Sequence, residues 1–304
     1  MSDVPILITG AGGFVGTRMC RLASERDVPF RAFDFSPQRL GGVEAMGAEI
    51  CRGDVTEYEN VSDAVKGVRA VIHLITAHEH MSLDAHERIT LGGVRNMIRA
   101  CAEHKVRRFL FVSSIKAGRD YPGVYGTSKR RAEAILRQAD LDLTIFRPAL
   151  LYGPGELRLR KIGEIMRKWQ IVPVIGDGSY VIYPIFVDDL VAATLRAIDS
   201  PDTIGKIYDM GGPEAFTYDQ IIDCLMERLG IKATKIHVPL AVCGLIGRLA
   251  QAVSKHPIVF MDQVLAQRAQ VKCDIGPARQ DLGFAPMDFR TGLSKYHPAS
   301  VTQS

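Results

Sequence analysis

The sequence predicts an α/β fold built on a doubly wound parallel sheet, with a small lobe in its C-terminal half. Three observations carry this reading. Short apolar, β-branched runs alternate with longer helix-period segments over the first 150 residues. A glycine-rich turn, TGAGGFVG (9–16), follows the first run. After about residue 150 the rhythm changes and glycine and proline cluster, in LYGPG (151–155) and VIGDGS (174–179). A chain of 304 residues is long enough to bury a full core.

The elements follow in order. PILIT (5–9), FRAFDF (30–35), AEICRGDV (48–55), AVIHLIT (70–76), RRFLFVSS (107–114) and LDLTIFRP (141–148) read as buried strands. Helical patterns near 14–26, 57–66, 84–104 and 124–139 separate them. Strand and helix in alternation imply a parallel sheet covered on both faces. Later helices fall near 187–199 and 217–230, the second opened by Thr217 and Gln220 at capping-box spacing. The expected division is a dinucleotide-binding domain over 1–150 and a mainly substrate-binding lobe over 151–304. Segments near 180–215 complete the sheet.

Bulk properties narrow the function. Hydrophobic content of 47% with 24% charged residues is that of an ordinary soluble protein. A net charge of +4 suits a small anionic ligand and does not argue for nucleic acid. The six cysteines, at 20, 51, 101, 224, 243 and 273, include no C-x-x-C pair, which reads as reduced, packed thiols in the cytoplasm. MSDVPILITG lacks the pattern of a secretory signal. The apolar run VPLAVCGLIG (238–247) is too short to span a bilayer and reads as a core-packing helix.

Gly10, Gly13 and Gly16 form G-x-x-G-x-x-G at a strand-to-helix turn. Missing side chains let the backbone approach a pyrophosphate, and the helix N-terminus faces its charge. Asp34 ends the second strand, where a carboxylate accepts hydrogen bonds from an adenosine ribose and repels the extra phosphate of NADP. NAD is therefore preferred, with NADP left open by nearby Arg39. Asp54 and Val55, in GDV after the third strand, lie where adenine is contacted, although Asp there serves equally as a helix cap.

GVYGTSKRRAE (123–133) sets Tyr125 four residues ahead of Lys129, on one helix face. A phenol is a poor base at neutral pH, and a neighbouring ammonium favours the phenolate. Such a pair can move a proton on and off an alcohol or carbonyl oxygen. The pair alone is a common chance match. His78, His80 and His86 read as a solvated loop with a possible substrate-side role; their spacing fits no tight zinc site, so no metal is expected. Arg158, Arg160, Lys161, Arg167 and Lys168 read as a solvated helix face, or as a source of one or two arginines that clamp an anionic substrate.

With ITGAGGFVG, GDV, VIHL, FVSS, YGTSK and RPALLYGPG in this order, the chain resembles the extended short-chain dehydrogenase/reductase family. Within it the likeness is to the NAD-dependent epimerase/dehydratase group, and it extends through VDDLVAA (187–193), GKIYDMGGPE (205–214) and LGFAP (282–286). The resemblance implies a Rossmann-type domain, a C-terminal substrate-binding lobe and a Ser–Tyr–Lys catalytic group. Tyr125 matches the acid/base, Lys129 the residue that grips the nicotinamide ribose and lowers the Tyr pKa, and Ser114 the residue that polarises the substrate oxygen, with Ser113 as fallback. Phe14 and Val15 match the phosphate loop, Leu74 the strand-four loop against the cofactor, and Pro148 the segment that passes the nicotinamide. A homodimer through the fourth and fifth helices is also implied.

Three departures matter. Thr90 replaces a usual Asn, which puts that residue's relay and strand-bracing roles in doubt. Ile182 stands near the Arg that binds nucleotide diphosphates. The spacer from Ser114 to Tyr125 is short. The expected function is an NAD(P)-dependent oxidoreductase or epimerase for a secondary alcohol or ketone, on a sugar-nucleotide or related anionic substrate. The alternative is a cofactor-binding accessory or regulatory protein without turnover, resembling the atypical branch that includes a complex I subunit.

Overall fold

The computed structural model describes residues 3–239 and 272–296. The first half alternates strand and helix: β1 (Ile6–Thr9), α1 (Phe14–Glu25), β2 (Phe30–Asp34), α2 (Pro37–Glu44), β3 (Glu49–Arg52), α3 (Tyr58–Val65), β4 (Ala70–His73), α4 (Leu83–Ala85), a π-helical stretch His86–Gly92, α5 (Gly93–Glu103), β5 (Arg108–Val112), a 3₁₀ turn Ile115–Gly118, α6 (Gly123–Leu136) and β6 (Asp142–Pro148). The second half holds short strands β7 (Leu150–Tyr152), β8 (Ile171–Ile175), β9 (Val181–Ile182) and β10 (Pro184–Phe186), then β11 (Ile207–Met210), β12 (Phe216–Thr217) and β13 (Thr234–Val238). Its helices are α7 (Arg158–Trp169), α8 (Val187–Ile198), α9 (Tyr218–Leu229), α10 (Gly276–Leu282) and α11 (Phe289–Ser294).

Seven parallel strands form the main sheet, in the order β11-β6-β5-β4-β1-β2-β3. This is the Rossmann-type doubly wound arrangement, and its order reverses beside β1. The unbroken apolar runs have a simple cause: successive side chains serve opposite faces. Ile6 and Ile8 pack with Met19, Ala23, Leu40, Leu190 and Val191 on the side of α1, α2 and α8. Leu7, between them, packs with Val61, Val94, Met97 and Leu136 on the side of α3, α5 and α6. A third core, with Tyr152, Leu159, Met166, Ile221, Leu225 and Phe289, lies wholly within residues 152–293.

Observed boundaries depart from expectation in a few places. α2 arises from PQRLGGVE, whose two glycines hide a helical pattern. The first residue of the 238–247 run, Val238, ends β13, and residues 240–247 lie outside the described residues. No described helix is long and apolar enough to cross a membrane. All five described cysteines are free thiols.

Candidate active site

β1 ends at Thr9, and Gly10 turns the chain with φ +68°, a left-handed geometry that a side chain disfavours. The turn is tight. A Cβ on Gly16 would lie 2.0 Å from the Gly10 carbonyl oxygen, so α1 can start here only on glycine. Gly13 sits at the N-cap without a side-chain cap, and α1 has no acidic residue in its first turn. Its leading N–H groups therefore point at the mouth of the sheet with no side chain filling the site, which is what a pyrophosphate needs. Phe14 and Val15 pack on the core, and Phe14 also abuts Gly155 of the LYGPG turn. Leu74 and Ile75 close over Gly10, and the Leu74 N–H donates to Thr9 Oγ1 at 3.1 Å.

Asp34 is 4% exposed. Its Oδ2 accepts the Gly12 N–H and its Oδ1 the Ser36 N–H, both at 3.1 Å. The carboxylate thus ties the glycine loop to the end of β2 while each oxygen keeps a second lone pair for a ribose hydroxyl. Arg39 shares this corner: its Cβ stands over Gly12 and its guanidinium lies 5.7 Å from the Phe35 ring centroid. The residues present fit a nicotinamide dinucleotide. Asp54 caps a local turn instead, its Oδ1 accepting both the N–H and hydroxyl of Thr56 at 2.9 Å. Val55 turns its side chain into the core against Gly93, so only its backbone is open to a cofactor. Pro148 ends β6 and pairs in register with Met210.

α6 presents Tyr125 and Lys129 together, as the i,i+4 spacing requires, with the ammonium 5.9 Å from the phenol ring centroid. Lys129 is 1% exposed and donates to the Val112 carbonyl, at the end of β5, at 2.8 Å. Burial lowers its pKa to about 7, against a smaller upward pull from Glu133. The phenol does not follow the expectation of a lowered pKa. Burial first, and the Glu79 carboxylate second, push Tyr125 up, with only Arg158 opposing them. The ammonium is spent on a backbone carbonyl, and desolvation outweighs it. In the protein without ligand, Tyr125 is a protonated acid.

The two serines separate. Ser113 is taken into a buried network, donating to Glu133 Oε1 at 2.5 Å, while Glu133 also receives the Arg147 guanidinium. Ser114 caps the 3₁₀ turn, accepting the Lys116 N–H at 3.3 Å, at the strand end facing α6. Thr90 keeps the bracing role that its identity put in doubt: its Oγ1 accepts the Ala77 N–H at 3.0 Å and meets Thr76 Oγ1 at 3.2 Å. His86 is not in a solvated loop. It is 2% exposed in the π-helical stretch, with Nδ1 2.9 Å from Ser128 Oγ and its ring edge-on to Tyr125 at 6.2 Å. Burial lowers its pKa and keeps it neutral. His78 and His80 stack on each other at 5.7 Å, and the described residues hold no cluster suited to a metal ion. Ile182 lies in β9, paired with Phe216. Sequence reading missed Glu79, Lys116 and Arg119. Glu79 lies far in the chain from Lys116 and Arg119, and no local pattern marks the three.

The depressed Lys129 pKa has a measurable consequence. Between about pH 7 and the ordinary lysine value of 10.5, the unfolded chain binds a proton that the folded one releases. Stability from this group therefore rises with pH across that window. In Lys129→Met the gain in urea midpoint between pH 7 and pH 9 should shrink relative to wild type. An unchanged gain would show that Lys129 titrates normally.

Fold and site together define an NAD(P)-binding protein of the short-chain dehydrogenase/reductase type. The chain belongs to the NAD(P)H-binding family, whose pattern it matches over residues 10–166. It is similar to 2-alkyl-3-oxoalkanoate reductase of Stenotrophomonas maltophilia, 26% identical with 97% of this chain and 99% of the relative covered. It is also similar to the mitochondrial NADH dehydrogenase [ubiquinone] 1 alpha subcomplex subunit 9 of Dictyostelium discoideum, 23% identical over 84% of this chain and 73% of that one. Among solved structures, UDP-glucuronic acid 4-epimerase from Bacillus cereus in complex with NAD superposes with a TM-score of 0.79 at 18% identity, covering 97% of this chain and 98% of that one. At that identity the match shows the fold.

Proposed function

We propose that this chain is an NAD(P)-dependent oxidoreductase that interconverts a ketone and a secondary alcohol. The observation that carries it is the placement of Tyr125 on the same helix face as Lys129, beside the β5 end that bears Ser114. Bound NAD(P)H supplies the hydride. Ser114 Oγ donates to the carbonyl oxygen and orients it. Tyr125 Oη delivers the proton, so that a ketone and NAD(P)H become an alcohol and NAD(P)⁺. Lys129 holds the ribose and offsets the phenolate left behind. Asp34, the glycine loop and the Leu74 segment hold the dinucleotide, and the lobe within 151–304 holds the substrate. The printed name of the Stenotrophomonas relative supports a reductase.

Identifying the nucleotide that co-purifies, by mass, tests the reading. NAD or NADP supports it; a protein that neither carries nor binds a nicotinamide nucleotide contradicts it. Asp34→Ala should weaken NAD by about tenfold or more, the scale of a lost hydrogen bond to a charged group, and shift preference toward NADP. A fluorescence titration that finds wild type favouring NADPH would transfer the selecting role to Arg39.

The homodimer implied by the family would bring the outward arginines of α5 and α6, among them Arg95, Arg99, Arg130 and Arg131, toward their symmetry mates. Its formation should weaken as ionic strength falls. Light scattering at two salt concentrations reads this, and dimerisation that strengthens at low salt would place the contact elsewhere.

A further inference from the structure

The proton-transfer reading leaves a group of charges beside Tyr125 unused. Glu79, six residues beyond β4, sets Oε1 2.7 Å from Lys116 Nζ and Oε2 3.9 Å from an Arg158 guanidinium nitrogen. Lys116 belongs to the 3₁₀ turn after β5, and Arg158 opens α7 in the other half of the chain. Three separate parts of the fold therefore converge on one carboxylate. Glu79 and Lys116 are three-quarters or more buried, at 24% and 18% side-chain exposure. Arg119, at the end of the same 3₁₀ turn, adds a third cation whose charge acts on Glu79. Its Nε is buried and makes no hydrogen bond.

The balance is uneven. One carboxylate faces three cations. Glu156, which also acts on Arg158, already accepts the backbone N–H groups of Arg158 and Leu159 at 2.5 and 2.7 Å. Arg158 is half exposed, at 47%, so the buried cost falls on Arg119, whose unpartnered Nε is costly to bury unless a ligand completes it.

The location specifies the ligand. Lys116 Nζ lies 5.7 Å from the Tyr125 ring centroid, so an anion bound there sits beside the Tyr125 ring. Charge-assisted contacts on Lys116 and a hydrogen bond on the phenol each span about 2.7–2.9 Å. The anionic group and the carbonyl then belong to one short segment of substrate. The group that these cations already hold is a carboxylate, that of Glu79, so a substrate carboxylate is the ligand of matching geometry.

Resting on the reductase reading above, we propose that Lys116 and Arg119, closed over by Arg158, form a carboxylate subsite. The substrate is an oxo acid whose carboxylate lies a few bonds from the carbonyl at Tyr125. Glu79 is the internal carboxylate that shares this subsite, organising the cations and competing with the substrate.

The test compares 3-oxooctanoate with its methyl ester as substrates of the NAD(P)H-loaded full chain. It adds octanoate, which cannot be reduced, as a binding probe in calorimetry. Wild type should reduce the acid with a kcat/KM at least tenfold above the ester. Lys116→Met and Arg119→Met should collapse that ratio and weaken octanoate by about tenfold, the size of one lost charge-assisted contact. Glu79→Gln should act in the opposite sense, tightening octanoate and raising the ratio, because it removes the competitor. A merely structural role for these residues would lower acid and ester together and give Glu79→Gln the same sign as the lysine variant.

If the ester is reduced as well as the acid and octanoate does not bind, the subsite is wrong and the reductase reading stands. If neither compound is reduced yet octanoate binds and obeys the variants, the subsite stands and the reaction assigned to it does not. Failure of both measurements overturns both.

Discussion

Tyr125→Phe is expected to lose ~10²–10⁴-fold in rate while folding normally and binding cofactor at wild-type affinity. The substitution keeps the ring, which packs edge-on against His86 and under the Lys116 ammonium, and removes only the hydroxyl. Because burial and Glu79 push the Tyr125 pKa up, the Tyr125 proton itself should limit wild-type reduction only in alkali, and a fall near neutral pH would report loss of the Lys129 proton instead. Oxidation needs the phenolate and should rise toward alkaline pH. In Glu79→Gln the carboxylate that helps keep the proton on is gone, so that rising limb should move to lower pH. A pH–rate profile in each direction reads these limbs. A reduction rate that climbs with pH would mean that another group donates the proton.

Gly16→Ala is expected to abolish cofactor binding more completely than any change at Asp34. The added Cβ would stand 2.0 Å from the Gly10 oxygen and 2.8 Å from the Ala11 Cα, both of them backbone. Neither atom can swing aside as a side chain would, so α1 must shift away from β1. Overpacking of this kind typically costs about 1–3 kcal/mol of stability. It also displaces the α1 N-terminus from the site it should face, and NAD(P) affinity should fall by two orders of magnitude or more. Titration of the purified variant, with thermal unfolding in parallel, separates the two effects. Retained affinity would show that the dinucleotide does not use this turn.

The parts of the fold legible in the sequence are those with strong local causes. Strands β1, β2, β4, β5 and β6 are buried on both faces and their apolar runs say so, while the edge strand β3 is only half-buried. The NAD(P)-binding class was legible because the glycine turn and the strand before it are adjacent in the chain. The second half was harder. β9 and β12 are two residues each, too short to show a period, and their partners are distant. The π-helical stretch His86–Gly92 has no sequence signature, and it moved His86 from an expected loop into a buried site beside Tyr125. Ser113 and Ser114 are neighbours in the sequence and differ only in which way they face. Glu133, twenty residues on, decides which one is tied up. The spacing of Tyr125 and Lys129 puts them together on α6, but their electrostatics depend on Val112 and Glu79, which only the folded chain brings near.

The central claim is that Tyr125 protonates a ketone as hydride arrives from a nicotinamide dinucleotide whose pyrophosphate is held by the glycine turn. The most direct measurement supplies NAD(P)H deuterated at the transferable position, with an oxo acid panel, to wild type and Tyr125→Phe. The expected result is an alcohol carrying deuterium on its carbinol carbon from wild type, and almost none from Tyr125→Phe despite bound cofactor. Deuterium delivered equally by both proteins, or by neither across the panel, would contradict the claim.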